Sequence, residues 1–208
     1  FGYLLRAHND GGSWELHDPY RFPPVLGEMD DYLIHEGTHR RLWERLGAHA
    51  MEHAGHSGVH FAVWAPNAQA VRVVGDFNHW NGVAHSMRAM GASGIWELFI
   101  PGIGVGAKYK YDILSRDGHW ATKIDPLARA TEVPPATASV VVESSHKWGD
   151  SKWLSARKKR DALKAPMSIY ELHLGSWRPG LNYRTIADEL IEYVNYLGFT
   201  HVEFMPLA

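Results

Sequence analysis

The chain has 208 residues, of which 45% are hydrophobic and 21% are charged, as in a folded protein of one or two domains. Its formal net charge of -2 gives no electrostatic basis for binding nucleic acid or an anionic membrane, and no apolar run is long enough to span a bilayer. The lack of cysteine excludes disulfides and thiolate metal sites, and a cytoplasmic location is expected.

The first part, residues 1–25, is predicted to be the end of a preceding N-terminal module and a linker. Residues 1–6 suit a strand, and residues 10–12 form a turn signal. The prolines of residues 18–24 restrict that stretch to extended backbone. A short helix is expected over residues 28–36.

Residues 26–143 carry the clearest pattern, because apolar and polar residues alternate along several short segments. Such alternation predicts antiparallel strands with one face on a core and the other in solvent. Turn signals at residues 65–67, 101–102 and 117–118 separate the segments, so a β-sandwich is predicted. The expected inward positions are Val59, Phe61, Val63, Val71, Val73, Trp96, Leu98, Ile100, Tyr109, Tyr111 and Ile113.

Residues 144–166 are polar and include a basic run at residues 157–160. A nucleic-acid patch and a solvated linker helix both fit such a run. The nearly neutral charge of the whole chain favours the linker helix.

The pattern changes after residue 166. Residues 168–174 and 200–205 predict two strands, with a helix between them whose N-cap is Thr185 and whose C-terminal glycine is Gly198. The helix has one apolar stripe, formed by Ile186, Leu190, Val194 and Leu197. Two strands joined in this way pair in parallel and need covering on both faces. Residues 167–208 are therefore expected to begin a larger α/β domain such as a barrel.

Several motifs, in this order along the chain, resemble bacterial glycogen (1,4-α-glucan) branching enzymes. The β-rich part contributes residues 61–68 (FAVWAPNA), 74–80 (VGDFNHW) and 94–101 (GIWELFIP). The last part contributes residues 169–177 (IYELHLGSW) and 197–203 (LGFTHVE). The resemblance covers nearly the whole chain.

This resemblance implies an immunoglobulin-like β-sandwich that binds glycogen, followed by the first β-α-β of a family 13 glycoside hydrolase TIM barrel. It implies transfer of an α-1,4-glucan segment to a 6-hydroxyl, which makes α-1,6 branches, by a retaining mechanism with two carboxylates. Those carboxylates belong to later barrel strands, so no catalytic residue is assigned here. The expected partners are α-glucan and the remainder of the barrel, no cofactor is expected, and the chain alone is expected only to bind glucan.

Four residues are candidates for carbohydrate binding. Trp80 is a loop tryptophan beside Asn78, which suits stacking on glucose with amide hydrogen bonds, although packing of Trp80 on its own sandwich fits equally well. Trp120 follows a turn signal, and Lys110 lies on the polar face of its strand, where a solvated lysine is the alternative. The resemblance places a second tryptophan and a lysine of glycogen-binding modules at these positions.

Four histidines, at positions 49, 53, 56 and 60, are spaced as if to hold a metal on a helix. Gly55 and Gly58 interrupt any such helix, so no metal site is predicted.

Glu171 and Glu203 suggest a catalytic pair, but both lie in the middle of predicted strands. We expect both to be buried structural carboxylates, because barrel chemistry takes place at the C-terminal ends of strands. His173 is nearer that end and is a candidate for lining a substrate subsite.

Two other functions fit parts of this pattern. One is a non-catalytic glycogen-binding module, and residues 167–208 argue against it because an isolated β-α-β unit leaves apolar faces exposed. The other is a debranching or trehalose-releasing hydrolase, which shares the sandwich and barrel, although residues 174–177 are more similar to the branching-enzyme version.

Overall fold

The computed structural model describes residues 3–207, which divide into two compact units between Ser145 and His146. The strands of the first unit are β1 (Leu5–Asn9), β2 (Gly12–Leu16), β3 (Gly47–His53), β4 (His56–Trp64), β5 (Ala70–Gly75), β6 (Arg88–Met90), β7 (Ile95–Pro101), β8 (Lys108–Leu114), β9 (Trp120–Lys123) and β10 (Ser139–Val140). Its one α-helix in the described residues is α1 (Glu28–His35). The second unit contains α2 (Ser151–Lys158), β11 (Ile169–Leu172), α3 (Leu174–Trp177), α4 (Tyr183–Leu197) and β12 (His201–Phe204).

The first unit is built from antiparallel sheets, as its alternating pattern predicts. One sheet has the strand order β3-β4-β7-β6. In the other, β8 pairs with β5 along one edge and with β9 and β10 along the opposite edge. The strands β1 and β2 form a separate hairpin, and β1 begins within the predicted strand, of which Phe1 and Gly2 lie outside the described residues.

The core between the two larger sheets draws on alternate residues of both. Phe61 of β4 and Tyr109 of β8 meet edge to face with ring centroids 5.0 Å apart, and both are almost fully buried. The alternation of apolar and polar residues therefore predicts the inward face correctly. The buried members are Ala48, Val59, Phe61, Val63, Val71, Val73, Met87, Leu98, Ile100, Tyr109, Tyr111 and Val141, with Trp96 and Ile113 partly buried beside them.

The prediction that these strands are covered on one face only is wrong for β4 and β7. Their second faces are also buried, including Glu97, which is 2% exposed. Leu26 and Leu46 pack there in a separate apolar cluster with Ala62 and Ile95. Phe22, which belongs to the predicted linker, also packs on this face, with its ring centroid 5.0 Å from that of Phe99.

In the second unit, β11 and β12 pair in parallel, in register from Ile169 opposite His201 to Leu172 opposite Phe204. The helix α4 connects them and ends at Gly198, whose positive φ of 75° suits glycine. The N-cap is Asn182 rather than the predicted Thr185. Asn182 accepts hydrogen bonds from the backbone N–H groups of Arg184 and Thr185, because the helix starts three residues earlier than the apolar stripe indicates.

The apolar stripe of α4 is buried at Ile186, Leu190 and Val194, whereas Leu197 is 46% exposed. The prediction that Glu171 and Glu203 are buried is wrong in this chain. The two carboxylates lie opposite each other across the parallel pair, and both are exposed. No described residue covers the face from which they project.

Candidate functional site

The loop after β5 carries Trp80 in an unusual backbone conformation. A 3-10 turn over Asp76–Asn78 is followed by His79 and Trp80, whose φ angles of 54° and 58° both lie in the left-handed region. Non-glycine residues adopt this region at a cost of about 1–3 kcal/mol each, so surrounding contacts must hold them there. The Trp80 N–H donates to the Gly75 carbonyl at 2.8 Å, and the Trp80 side chain is 45% exposed.

Asn78 supplies the contacts that fix this loop. Its Oδ1 accepts a hydrogen bond from the Gly75 N–H at 2.9 Å, and its Nδ2 lies 2.9 Å from both the Val73 carbonyl oxygen and His85 Nδ1. Burial lowers the pKa of His85, so its neutral ring accepts the amide hydrogen. Both amide hydrogens of Asn78 are therefore donated to acceptors within the protein. In this structure, Asn78 stabilises the loop that exposes Trp80.

Lys110 faces outward from the sheet of β5, β8 and β9. It lies directly opposite Val74 of β5, and its neighbours Tyr109 and Tyr111 point into the core. Its Nζ donates to the Thr137 hydroxyl at 2.7 Å. The ammonium group is thus directed along the outer face by a neutral partner rather than by a carboxylate.

Trp120 begins β9, opposite Leu114 of β8, and is 42% exposed. The turn before it is closed by hydrogen bonds from the Ser115 N–H and hydroxyl to the His119 carbonyl, so Trp120 lies in the strand pair next to the tip of the β8–β9 hairpin. The Arg72 guanidinium carbon lies 4.2 Å from the centroid of the Trp120 ring, a contact that the sequence patterns do not predict. Only the alternation of Arg72 with Val71 and Val73 marks it in sequence as an outward residue.

The loop that carries Trp80 returns to this same outer face. A Cβ added to Gly82 would lie 2.7 Å from Arg72 Cβ and 3.0 Å from Val74 Cγ1, so the loop backbone rests on the two outward side chains of β5. The structure therefore associates Trp80, Lys110 and Trp120 with one face of one sheet. Half-exposed indoles and a lysine ammonium on one face suit a ligand with apolar faces and neutral polar edges.

The four histidines that suggested a metal have separate partners. His49 contacts the Leu46 carbonyl, His53 the Pro23 carbonyl, His56 the Arg21 guanidinium and His60 the Glu97 carboxylate. Within residues 3–207 no group of three or more His, Asp or Glu side chains is arranged to hold a metal ion.

In the same range, no helix is long and apolar enough to cross a membrane.

The second unit has a cavity of about 490 Å³ at the C-terminal ends of its two parallel strands. His173, the residue after β11, lines it together with Asn182, Tyr183 and Pro206. His173 Nδ1 lies 2.9 Å from the Ser176 hydroxyl, which orients the ring. His173 thus lies at the C-terminal ends of the parallel strands, whereas Glu171 lies within β11.

Comparison with known proteins matches residues 45–128 to carbohydrate-binding module 48 (isoamylase N-terminal domain). The chain is 57% identical over 207 residues to the 1,4-alpha-glucan branching enzyme GlgB of Leifsonia xyli subsp. xyli, and 57% identical over 205 residues to GlgB 2 of Streptomyces coelicolor. Each alignment covers 99% of this chain. Over nearly its whole length, the chain is thus similar in sequence to bacterial glycogen branching enzymes.

The chain spans 28% of the length of these two branching enzymes. A solved structure of apo pullulanase from Klebsiella pneumoniae matches with a TM-score of 0.55 and 24% identity, over 77% of this chain and 20% of that one. At this identity the likeness shows the fold alone. These similarities agree with the resemblance of the sequence motifs, and the match to module 48 spans the loop of Trp80 and the strands of Lys110 and Trp120.

Proposed function

We propose that this chain is the glucan-binding part, with the start of the catalytic barrel, of a 1,4-α-glucan branching enzyme. The whole enzyme would transfer an α-1,4-glucan segment to a 6-hydroxyl and so create α-1,6 branches during glycogen biosynthesis in the cytoplasm. The observation that carries this proposal is identity of 57% to branching enzymes over 99% of the chain. No residue of this chain is assigned to the chemical step, so the chain alone would bind glucan without branching it.

Glucan would bind on the outer face of the sheet formed by β5, β8 and β9. The apolar C–H faces of pyranose rings would stack on the indoles of Trp80 and Trp120, which remain 45% and 42% exposed. The Lys110 ammonium would donate to sugar hydroxyls, as it does to Thr137 here. Asn78 would contribute indirectly, because it holds the loop in the conformation that exposes Trp80.

The second unit would form the first β-α-β of a family 13 (β/α)8 barrel, as residues 167–208 suggest; Ala208 itself lies outside the described residues. The parallel pairing of β11 with β12 and the exposure of all four β12 residues support this assignment. Parallel sheets are normally covered on both faces, so further strands and helices would be needed. His173 would then line a glucan subsite at the mouth of the barrel, where barrel enzymes carry their active sites.

Native electrophoresis in gels with and without glycogen tests the binding function. We expect glycogen to retard the chain and the substitution Trp80→Ala to reduce the retardation. Trp153→Ala is the matched control, because Trp153 is also exposed, at 59%, but belongs to the second unit. Equal mobility of the unsubstituted chain in both gels would contradict glucan binding by this module.

A separate assay tests the assignment of catalysis to the remainder of the enzyme. Amylose incubated with the 208-residue chain should keep its iodine staining, since no branches form. A fall in staining would show that the chemical step resides in this chain after all. The full-length enzyme should lower the iodine staining of amylose in the same assay. A gain of branch points in the product would distinguish branching from debranching.

A further inference from the structure

Arg72 reaches Trp120 from two strands away. In the register of the sheet, Arg72 of β5 lies opposite Asp112 of β8, while Trp120 of β9 lies opposite Leu114 of β8. Neighbouring strands are about 4.8 Å apart, so the arginine starts about 10 Å from the strand of its ring partner. Its side chain must therefore extend across the outer face of β8 to place the guanidinium 4.2 Å from the ring centroid.

The stem of Arg72 is held under the loop that carries Trp80. A Cβ added to Gly82 would lie 2.7 Å from Arg72 Cβ and 3.2 Å from its Cδ, so only a glycine allows the loop to approach this closely. The Nε of Arg72 is buried and has no hydrogen-bond partner among the described residues. Packing by the loop and the aromatic ring, rather than a carboxylate at Nε, thus determines where this part of the side chain lies.

A guanidinium is well suited to fix an indole. It is planar and permanently charged, and it stacks on the electron-rich face of an aromatic ring through cation–π attraction. Because Arg72 covers one face of Trp120, only the opposite face is available to a flat ligand. A ring held in this way loses less rotational freedom when the ligand binds, which improves affinity.

We propose that Arg72 is a positioning residue for glucan binding. It orients Trp120 so that the uncovered face of the indole receives a pyranose ring of an α-1,4-glucan chain. The inference rests on the proposed glucan-binding function and adds a residue that acts through Trp120 rather than by touching the sugar. The loop of Trp80 packs on Arg72, and Arg72 stacks on Trp120. The positions of the two tryptophans of the site therefore depend on each other.

The test is a double-mutant cycle on the 208-residue chain, with maltoheptaose as the probe and calorimetric titration as the measurement. Arg72→Met keeps the length of the stem and removes the cation. We expect it to weaken binding by about three- to tenfold, the range of a partly desolvated cation–π contact. Arg72→Lys should restore part of the loss. In the Trp120→Ala background, Arg72→Met should cause no further loss.

A matched control and a spectroscopic readout separate positioning from general destabilisation. Arg157 lies over the ring of Trp153 at 5.3 Å in the second unit, so Arg157→Met should leave maltoheptaose binding unchanged. In NMR spectra, the indole N–H signal of Trp120, which is identified by its loss in Trp120→Phe, should shift in Arg72→Met. The backbone amide signals of Arg72→Met should remain those of a folded domain.

The outcomes distinguish this inference from the function on which it rests. Unchanged binding in Arg72→Met, with weaker binding in Trp120→Ala, overturns the role of Arg72 and leaves the glucan site standing. An equal loss from Arg72→Met with and without Trp120 also overturns it, because the arginine would then act elsewhere. If the unsubstituted chain does not bind maltoheptaose at all, both the inference and the proposed function fail.

Discussion

The two units of this chain bury their strands to very different extents. In β4, six consecutive residues from Gly58 to Val63 are buried, whereas all four residues of β12 are exposed. The antiparallel strands of the first unit find their covering within residues 3–145, through two sheets and an N-terminal segment. A parallel pair with one helix cannot do so, because it offers two faces and the helix covers only one. Strand formation and strand burial are thus separate properties.

The largest expected effect tests this contrast through two phenylalanines. Phe61→Ala should lower the free energy of unfolding by about 3–5 kcal/mol, because the side chain is fully buried and leaves a cavity beside Tyr109. Phe204→Ala in β12, where the side chain is 45% exposed, should cost about 1 kcal/mol or less. Urea denaturation followed by circular dichroism measures both. Similar costs at the two positions would show that the second unit buries its strand in solution.

A smaller effect is expected at Glu97, which fastens the N-terminal segment to β7. Its carboxylate accepts hydrogen bonds from the backbone N–H groups of Val25 and Leu26 and lies 3.0 Å from His60 Nε2. Glu97→Gln should cost about 2–3 kcal/mol, since several hydrogen bonds to a buried charge are weakened together. The control Glu203→Gln changes an exposed carboxylate of β12 and should have almost no effect on the urea midpoint.

The contribution of Glu97 should also depend on pH. Burial opposes its ionisation, but hydrogen bonds from His60 and the Leu26 N–H, with the charges of His60 and Arg88, outweigh burial and lower the pKa. A carboxyl whose pKa is lower in the folded state stabilises the protein above its ordinary value of 4.5 and loses that effect as the pH falls through the folded value. The stability difference between wild type and Glu97→Gln should therefore shrink from neutral pH to about pH 3. A constant difference would contradict the ionised state assigned to Glu97.

The smallest predicted effect concerns the N-cap of α4 in the second unit. Asn182→Ala removes the side-chain acceptor for two N–H groups and should cost about 1 kcal/mol. Hydrogen exchange of the α4 amides measures this locally. Asn195→Ala, at an exposed position of the same helix, should leave exchange unchanged or slower. Faster exchange in both variants would point to a helix that depends on more than its cap.

Much of the fold follows from local patterns. Alternating residues such as Val71 and Val73 identify the inward faces of strands, since successive side chains of a strand point to opposite sides. The stripe of α4 and its terminal Gly198 are likewise visible in the sequence. The N-cap was harder to place, because Asn182 and Thr185 both suit that position and only the hydrogen bonds decide between them.

The candidate site was predicted in part. Trp80, Lys110 and Trp120 are assigned by motif resemblance, and the structure associates them with the outer face of one sheet, where their binding role stays a prediction. Asn78 was predicted as a sugar ligand, yet its amide hydrogens are used by Val73 and His85. Arg72 was missed because its relation to Trp120 depends on strand register, which no local pattern specifies.

The sequence by itself therefore determined the positions of β4, β5, β7, β8 and α4, the side of those strands that faces the core, and the enzymes that the chain resembles. Those properties depend on residues close together in the chain. Only the tertiary structure decided that Glu97 is buried on a face that the pattern marks as polar, and that Arg72 lies against Trp120. The first depends on Val25, which is 72 residues away, and the second on the pairing of three strands. Contacts of this kind arise from packing and register, which are set by the whole domain.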